Sequence, residues 1–419
     1  MITHCTKCKN IDILQHNYYI TKLGHVVYSL YIKQALQGVI YSRGIRRKPA
    51  FRVQFTAKES EYMDRKLKIG LIGAGGIATH SHMPGYARMD NVEIVAICDI
   101  KPEKAKALAE KYNVARVYED YMDVINLPGL DAIDICTPNY LHSIIAVAAL
   151  ERGLHVFCEK PDAVSVAEAE KMKAAAEKSG KVLMVMRNNR YMQVSSFLKK
   201  YIEDGRMGEI YAARCGWQRR RGIPGKGGWF TTKAQSGGGP LIDLGVHMID
   251  LTMWLMGNPK PVAVTGCTYN KFADNDVSDS VNSSFGEKNS QGTFDVEDLA
   301  MGFIRFDNGA CLQIEFSWAS NVEKEQRFFE LRGTKAGASW TSATQKLGIY
   351  EEEYGKTVDY LPNIDNTKGV QIHEANLRHF ADVVLNGAEP MFVPEQGVNM
   401  VKILEAIYKS AETGKEVLL

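Results

Sequence analysis

From Lys66 onward, short apolar runs alternate with amphipathic stretches, and this alternation restricts the fold more than any other feature of the chain. Strands joined by helical crossovers build a parallel sheet covered by helices on both faces. The expected strands are the apolar runs at residues 67–72, 92–98, 132–136, 155–158 and 182–185. Ser165 and Glu168 form a capping pair that opens a helix over 167–178, and Gly180 ends it. Beyond residue 205 the period changes to two. In 311–318, Leu312, Ile314, Phe316 and Trp318 alternate with Cys311, Gln313, Glu315 and Ser317. Similar runs at 210–217, 262–269, 299–306 and 327–332 predict a largely antiparallel sheet open on one side. Helices over 373–385 and 398–411 complete the chain. The expected fold is therefore α/β: a doubly wound parallel sheet followed by an α+β domain with a large, mostly antiparallel open sheet. The boundaries fall at an extension over 1–62, a first domain over 63–187 and a second over 188–419.

Composition narrows the partners. The 419 residues are enough for about two cores. A formal charge of +2 leaves no basic stripe for nucleic acid or an anionic membrane. No apolar run reaches the roughly 20 residues a bilayer span needs. Six of the eight cysteines lie scattered through apolar runs, which suits free thiols in a reducing cytoplasm. Cys5 and Cys8 form a CxxC near His4 and His16 but lack a second pair, so no metal is expected. Arg46 and Arg47 precede a polar stretch, which does not suit an export signal. Residues 1–62 are read as a poorly ordered extension, with Met63 as an alternative start.

The chemistry-bearing motifs lie at the ends of the expected strands. Gly73-Ala74-Gly75-Gly76-Ile77-Ala78 follows the first strand and opens a helix. Its glycines permit a tight turn and close approach of a pyrophosphate, and Ala78 takes the small-residue place. Asp99 ends the second strand, where a carboxylate accepts hydrogen bonds from an adenosine ribose; the bland alternative is a turn residue leading into Pro102. That carboxylate favours NAD over NADP, although Lys101 nearby offers a counter-charge to a 2′-phosphate. Thr137, Pro138 and Asn139 end the fourth strand, with His142 just beyond, and Glu159 and Lys160 end the fifth; all are expected at the cofactor crevice. His80 and His82 are read as helix or loop residues near the cofactor rather than metal ligands. Lys160 suits stabilisation of a developing alkoxide, against the plainer reading of a surface ion pair with Glu159.

A glycine-rich entry at Gly237–Gly239 leads through Pro240 into a helix carrying Asp243 and His247, four apart and so on one face. The carboxylate is placed to orient the imidazole, which then takes a hydroxyl proton; polar residues caught at a domain interface are the alternative. Between Trp217 and Trp229 a basic, glycine-rich loop offers Arg219 and Trp229 to a polyhydroxylated substrate, or is simply solvated.

Together, GAGGIA at 73–78, Asp99, TPN at 137–139, EKP at 159–161 and GGGPLIDLGVH at 237–247 resemble the Gfo/Idh/MocA oxidoreductase family over about residues 66–419. The resemblance implies a Rossmann domain, NAD or less readily NADP, and sugar, glycoside or cyclitol substrates. It implies catalytic Lys160, Asp243 and His247, places Asn188 and Arg190 near cofactor and substrate, and suggests a homodimer or homotetramer joined through the open sheet. The RRRGIP and GGWF stretches are similar to members acting on glycosides. Asp162 departs from a commonly apolar position, which puts the pocket near Lys160 in question. A dehydrogenase is the leading expectation; a redox-assisted glycosidase or lyase with recycled NAD and a non-catalytic NAD-binding regulator are the other two.

Overall fold

The computed structural model describes residues 65–278, 280, 285–365, 369 and 371–419. The expectations for the CxxC, the arginine pair and the extension over 1–62 lie outside the described residues. Among those described, β1 (Leu67–Ile72), β2 (Val92–Cys98), β3 (Val117–Tyr118), β4 (Ala132–Ile135), β5 (His155–Cys158) and β6 (Leu183–Val185) form a parallel sheet of order β3-β2-β1-β4-β5-β6. Chain order reverses between β1 and β4, and such a switch opens a crevice beyond the strand C-termini. The turns after β1, β2, β4 and β5 therefore converge there. Helices α1 (Pro102–Tyr112), α2 (His142–Glu151) and α3 (Val166–Ser179) supply crossovers. In α3 the Ser165 hydroxyl accepts from the Glu168 amide at 3.3 Å, and Gly180 stops the helix in the left-handed conformation. Both were legible in the capping pair.

The second sheet runs β14-β13-β12-β11-β7-β10-β9-β8-β15. Its members are β7 (Ile210–Gln218), β8 (Pro261–Tyr269), β9 (Leu299–Phe306), β10 (Cys311–Ser317), β11 (Gln326–Gly333), β12 (Ala336–Thr341), β13 (Leu347–Glu353), β14 (Lys356–Tyr360) and β15 (Val417–Leu418). All neighbours are antiparallel except β7 and β10. In β10, Leu312, Ile314 and Phe316 are buried, as period two requires. They pack against α4 (Val246–Leu255) and α6 (Pro394–Thr413) in one apolar core. The helix α5 (Ile372–Asn386) returns to the first sheet, where Phe380 meets Phe157 with ring centroids 5.2 Å apart. At about 25 cal/mol per Å² of apolar surface, such layers carry most of the folding drive. Strands β12 to β15 did not register in the sequence pattern, because they are short and have few large apolar residues in alternation.

Candidate active site

The turn after β1 has little steric latitude. Gly73 adopts φ +99°, and a Cβ there would lie 2.5 Å from the Cys136 carbonyl oxygen, so only glycine lets β1 and β4 exit side by side. At Gly75 a Cβ would meet nothing within 4 Å, which leaves the backbone open to a ligand. Asp99 holds this turn in place: its Oδ2 accepts from the Ala74 amide at 2.7 Å and its Oδ1 from the Lys101 amide at 2.8 Å.

Residues 73, 75–77, 99 and 137–139 line one cavity of about 720 Å³ that continues past Glu159, Lys160 and Asn188 to Arg219, Trp229, Asp243 and His247. Within it, the buried Thr137 Oγ1 and Asn188 Oδ1 have no hydrogen-bond partner among the described residues. Buried polar atoms rarely remain so unless a ligand meets them. A glycine cradle, a ribose-facing carboxylate and two unmet polar atoms fit a nicotinamide dinucleotide.

The substrate half is built from distant stretches. Lys160, just after β5, donates from Nζ to the Asp243 carbonyl at 3.0 Å and to Asp243 Oδ1 at 2.9 Å. The other carboxylate oxygen accepts from Trp318 Nε1 at 2.9 Å. Burial alone would raise the Asp243 pKa, but Lys160, Arg219 and the two side-chain hydrogen bonds bring it to about 2. The expected Asp243–His247 pair is corrected here: both carboxylate oxygens are committed to Lys160 and Trp318. His247 instead presents an imidazole with no hydrogen bond to any described side chain or backbone group, its ring centroid 6.1 Å from that of Trp217. Burial first, and the Lys160 ammonium second, push its pKa well below the ordinary 6.5. It is thus a neutral base at neutral pH.

The helical segment bearing these residues starts with a wide π turn, Leu241–Gly245, before α4. Its glycine-rich entry is anchored by hydrogen bonds. Buried Glu297 accepts from the Gly239 and Leu241 amides at 3.0 and 3.1 Å and from the Tyr408 hydroxyl at 2.9 Å. A Cβ on Gly239 would sit 2.0 Å from the Glu297 carbonyl oxygen, so close approach is what demands glycine.

Beneath the crevice lies a closed ionic network. His82 is fully buried, with Nδ1 at 2.7 Å from Asp134 Oδ2 and Nε2 at 2.8 Å from Glu159 Oε1. Burial opposes its charge, but Asp134 and Cys136 raise its pKa well above 6.5, so it is an imidazolium bridging two carboxylates. His82, Asp134 and Cys136 converge with metal-ligand types, yet both ring nitrogens are engaged by carboxylates. Glu159, held to about 2 against the opposing effect of burial by His82 and by the charges of His373 and Lys160, also accepts from the Lys160 amide at 3.1 Å.

Two expected residues serve elsewhere. His142 does not face the cavity: it is fully buried, its nitrogens 2.7 Å from the Pro161 carbonyl and 3.0 Å from that of Thr137, strapping two strand ends together. Arg190 is likewise withdrawn, bound to both oxygens of Asp250 at 2.6 and 2.8 Å and to the Met391 carbonyl. Asp162, whose place near Lys160 was in question, turns its carboxylate to buried Arg187 at 2.5 Å and does not line the cavity. Conversely, Trp318, Arg327 and His373 were missed. Trp318 reads as the last apolar residue of an alternating strand, and Arg327 as a strand's polar partner; neither carries a signal in one dimension. His373 opens α5, lines the cavity and lies with Nε2 2.9 Å from Asn188 Nδ2.

Comparison with known proteins agrees with this geometry. The model of an oxidoreductase family with an NAD-binding Rossmann fold matches residues 67–187, and the model of that family's C-terminal alpha/beta domain matches 199–419. The chain is 35% identical over 358 residues to D-glucoside 3-dehydrogenase of Escherichia coli K12, covering 84% of this chain and 97% of that protein. It is 25% identical over 353 residues to myo-inositol 2-dehydrogenase of Thermotoga maritima, covering 84% and 98%. A solved structure of levoglucosan dehydrogenase with NADH and levoglucosan superposes with a TM-score of 0.73 at 25% identity, covering 84% of this chain and 99% of that one.

Proposed function

The chain belongs to the Gfo/Idh/MocA oxidoreductase family, and from that premise we propose that it oxidises a secondary hydroxyl of a sugar or glycoside with NAD. Its relatives act on glucosides, levoglucosan and inositol by name, and a related structure holds NADH. The single observation that carries the site is the presence of the Lys160–Asp243 pair and an unengaged His247 imidazole in the same cavity as the glycine turn.

Residues 73–78, Asp99 and residues 137–139 would hold NAD, which supplies the hydride acceptor. His247, neutral for the reasons above, takes the substrate hydroxyl proton. Lys160 donates a hydrogen bond to the oxygen as negative charge develops there, a stabilisation worth most where water is excluded. Asp243 keeps that ammonium in place, and Trp318 keeps Asp243 in place. Trp217 forms the wall: Arg219 and Arg327 both stack over its ring, at 5.2 and 5.3 Å. A flat indole offers a face for sugar C–H groups, and guanidinium forks suit vicinal hydroxyls. That wall, with the glucoside-oxidising relative, favours a glycoside over a cyclitol.

The proposal extends to a cytoplasmic homodimer or homotetramer. The described cysteines are free, and no described helix is long and apolar enough to cross a membrane. The outward face of the second sheet carries Phe303, Gln313, Arg214 and Glu330 in one cross-strand row, a surface suited to pairing with a second copy. Light scattering and cell fractionation test these two points. For the reaction, glycosides, monosaccharides and cyclitols are offered with NAD, and NADH absorbance is followed. Glycosides should give the highest kcat/KM; a protein that binds NADH yet reduces NAD with none of them would reject the reading.

A further inference from the structure

Residues 285–287, between β8 and β9 in sequence, line the dinucleotide half of the crevice. Phe285 comes within 3.4 Å of where a Cβ on Gly76 would stand, and its ring meets Phe230 edge-on at 5.8 Å. Two residues on, Glu287 reaches the turn that follows β2. Its Oε2 accepts from Lys101 Nζ at 2.8 Å, and its Oε1 pairs with Lys104. Asp99, Lys101, Lys104 and Glu287 line the same end of the cavity. Hydrogen bonds from Lys101 and Lys104 hold the Glu287 carboxyl at about 2, so it is charged throughout the working range.

Glu119 lines the same cavity, so three carboxylates accompany two ammonium groups here, and Glu287 is the one that pairs with both lysines. Asp99 is committed to the Ala74 and Lys101 amides, which leaves the lysine side chains to Glu287. NADP differs from NAD by a 2′-phosphate on the adenosine ribose, which Asp99 faces by the logic of this fold. Lysine ammonium groups near that position are what a 2′-phosphate would recruit.

We propose that Glu287 is a cofactor-selectivity residue, supplied by the second half of the chain, which occupies Lys101 and Lys104 and thereby withholds them from the 2′-phosphate of NADP. The inference rests on the reading of residues 73–78 and Asp99 as a dinucleotide site. It reconciles Lys101 and Lys104, close behind the ribose carboxylate, with the proposed use of NAD.

The test needs no substrate. Fluorescence titration of the full-length protein with NADH and with NADPH, at low salt, gives the ratio of the two dissociation constants for wild type and for E287Q. Removing one negative charge beside a phosphate should lower the NADPH-to-NADH ratio about tenfold. The gain should vanish in the E287Q/K101M/K104M protein and shrink as salt screens the charges. If Glu287 merely fastens its loop, E287Q weakens both dinucleotides by one factor and the ratio stays put, which overturns the inference. A wild-type protein that binds neither dinucleotide overturns the site reading itself, an outcome separate from an unchanged ratio.

Discussion

Two histidines divide the molecule's buried charge between scaffold and chemistry. His82, on the floor of the crevice, has a carboxylate on each ring nitrogen and is driven toward the cation; His247, on the wall, has neither nitrogen engaged and is driven toward the neutral base. Burial lowers both pKa values and is the largest influence on each. The neighbours separate the outcomes: Asp134 and Cys136 reverse the effect of burial at the first, whereas the Lys160 ammonium adds to it at the second. A histidine whose hydrogen-bonding capacity is spent on protein holds strands together, whereas one that faces a cavity with that capacity unspent is available to a substrate.

This contrast is open to attack by substitution. Replacing His247→Ala should cut kcat by about 10²–10⁴ while leaving no buried partner orphaned; steady-state kinetics beside a melting curve checks both halves, and a large loss of stability would place His247 with the scaffold. His82→Leu should do the reverse. It strands two buried carboxylates, a change that costs about 3–5 kcal/mol in denaturant unfolding. Because the folded pKa of His82 is raised above 6.5, its contribution is full below that unfolded value and fades as pH climbs through the folded one. The stability gap between wild type and His82→Leu should therefore narrow with rising pH; a gap that widens would make His82 neutral.

A smaller effect is expected at Trp318→Phe, which removes the donor on Asp243 Oδ2 and should cost about 1.5–3 kcal/mol, with some loss of kcat as Lys160 loosens. Smallest is a titration shift. NMR titration should place the His247 imidazole below 6.5, and in Lys160→Met it should move upward yet stay lowered, since burial is the larger influence. No movement would mean that the ammonium does not face the ring.

The parallel sheet was legible because buried strands are continuous apolar runs and their turns carry local chemistry. Strands β1, β2 and β5 begin and end where the apolar runs do. The cofactor half of the site was legible for the same reason: a glycine turn and a strand-end carboxylate act through residues near in sequence. The substrate half was only partly so. Lys160, Asp243 and His247 were named, but not which of them touch.

By itself, then, the sequence determined the order of elements in the parallel sheet, the two sheet types, the glycine turn and the identities of three polar groups brought to one cavity. Only the tertiary structure decided that Asp243 serves Lys160 and Trp318, that His142 and Arg190 are struts, and that His82 is locked between Asp134 and Glu159. Periodicity and turn chemistry are local and survive in one dimension. A carboxylate's choice of partner depends on which donors long-range packing brings within about 3 Å of it, and spacing along the chain does not encode that.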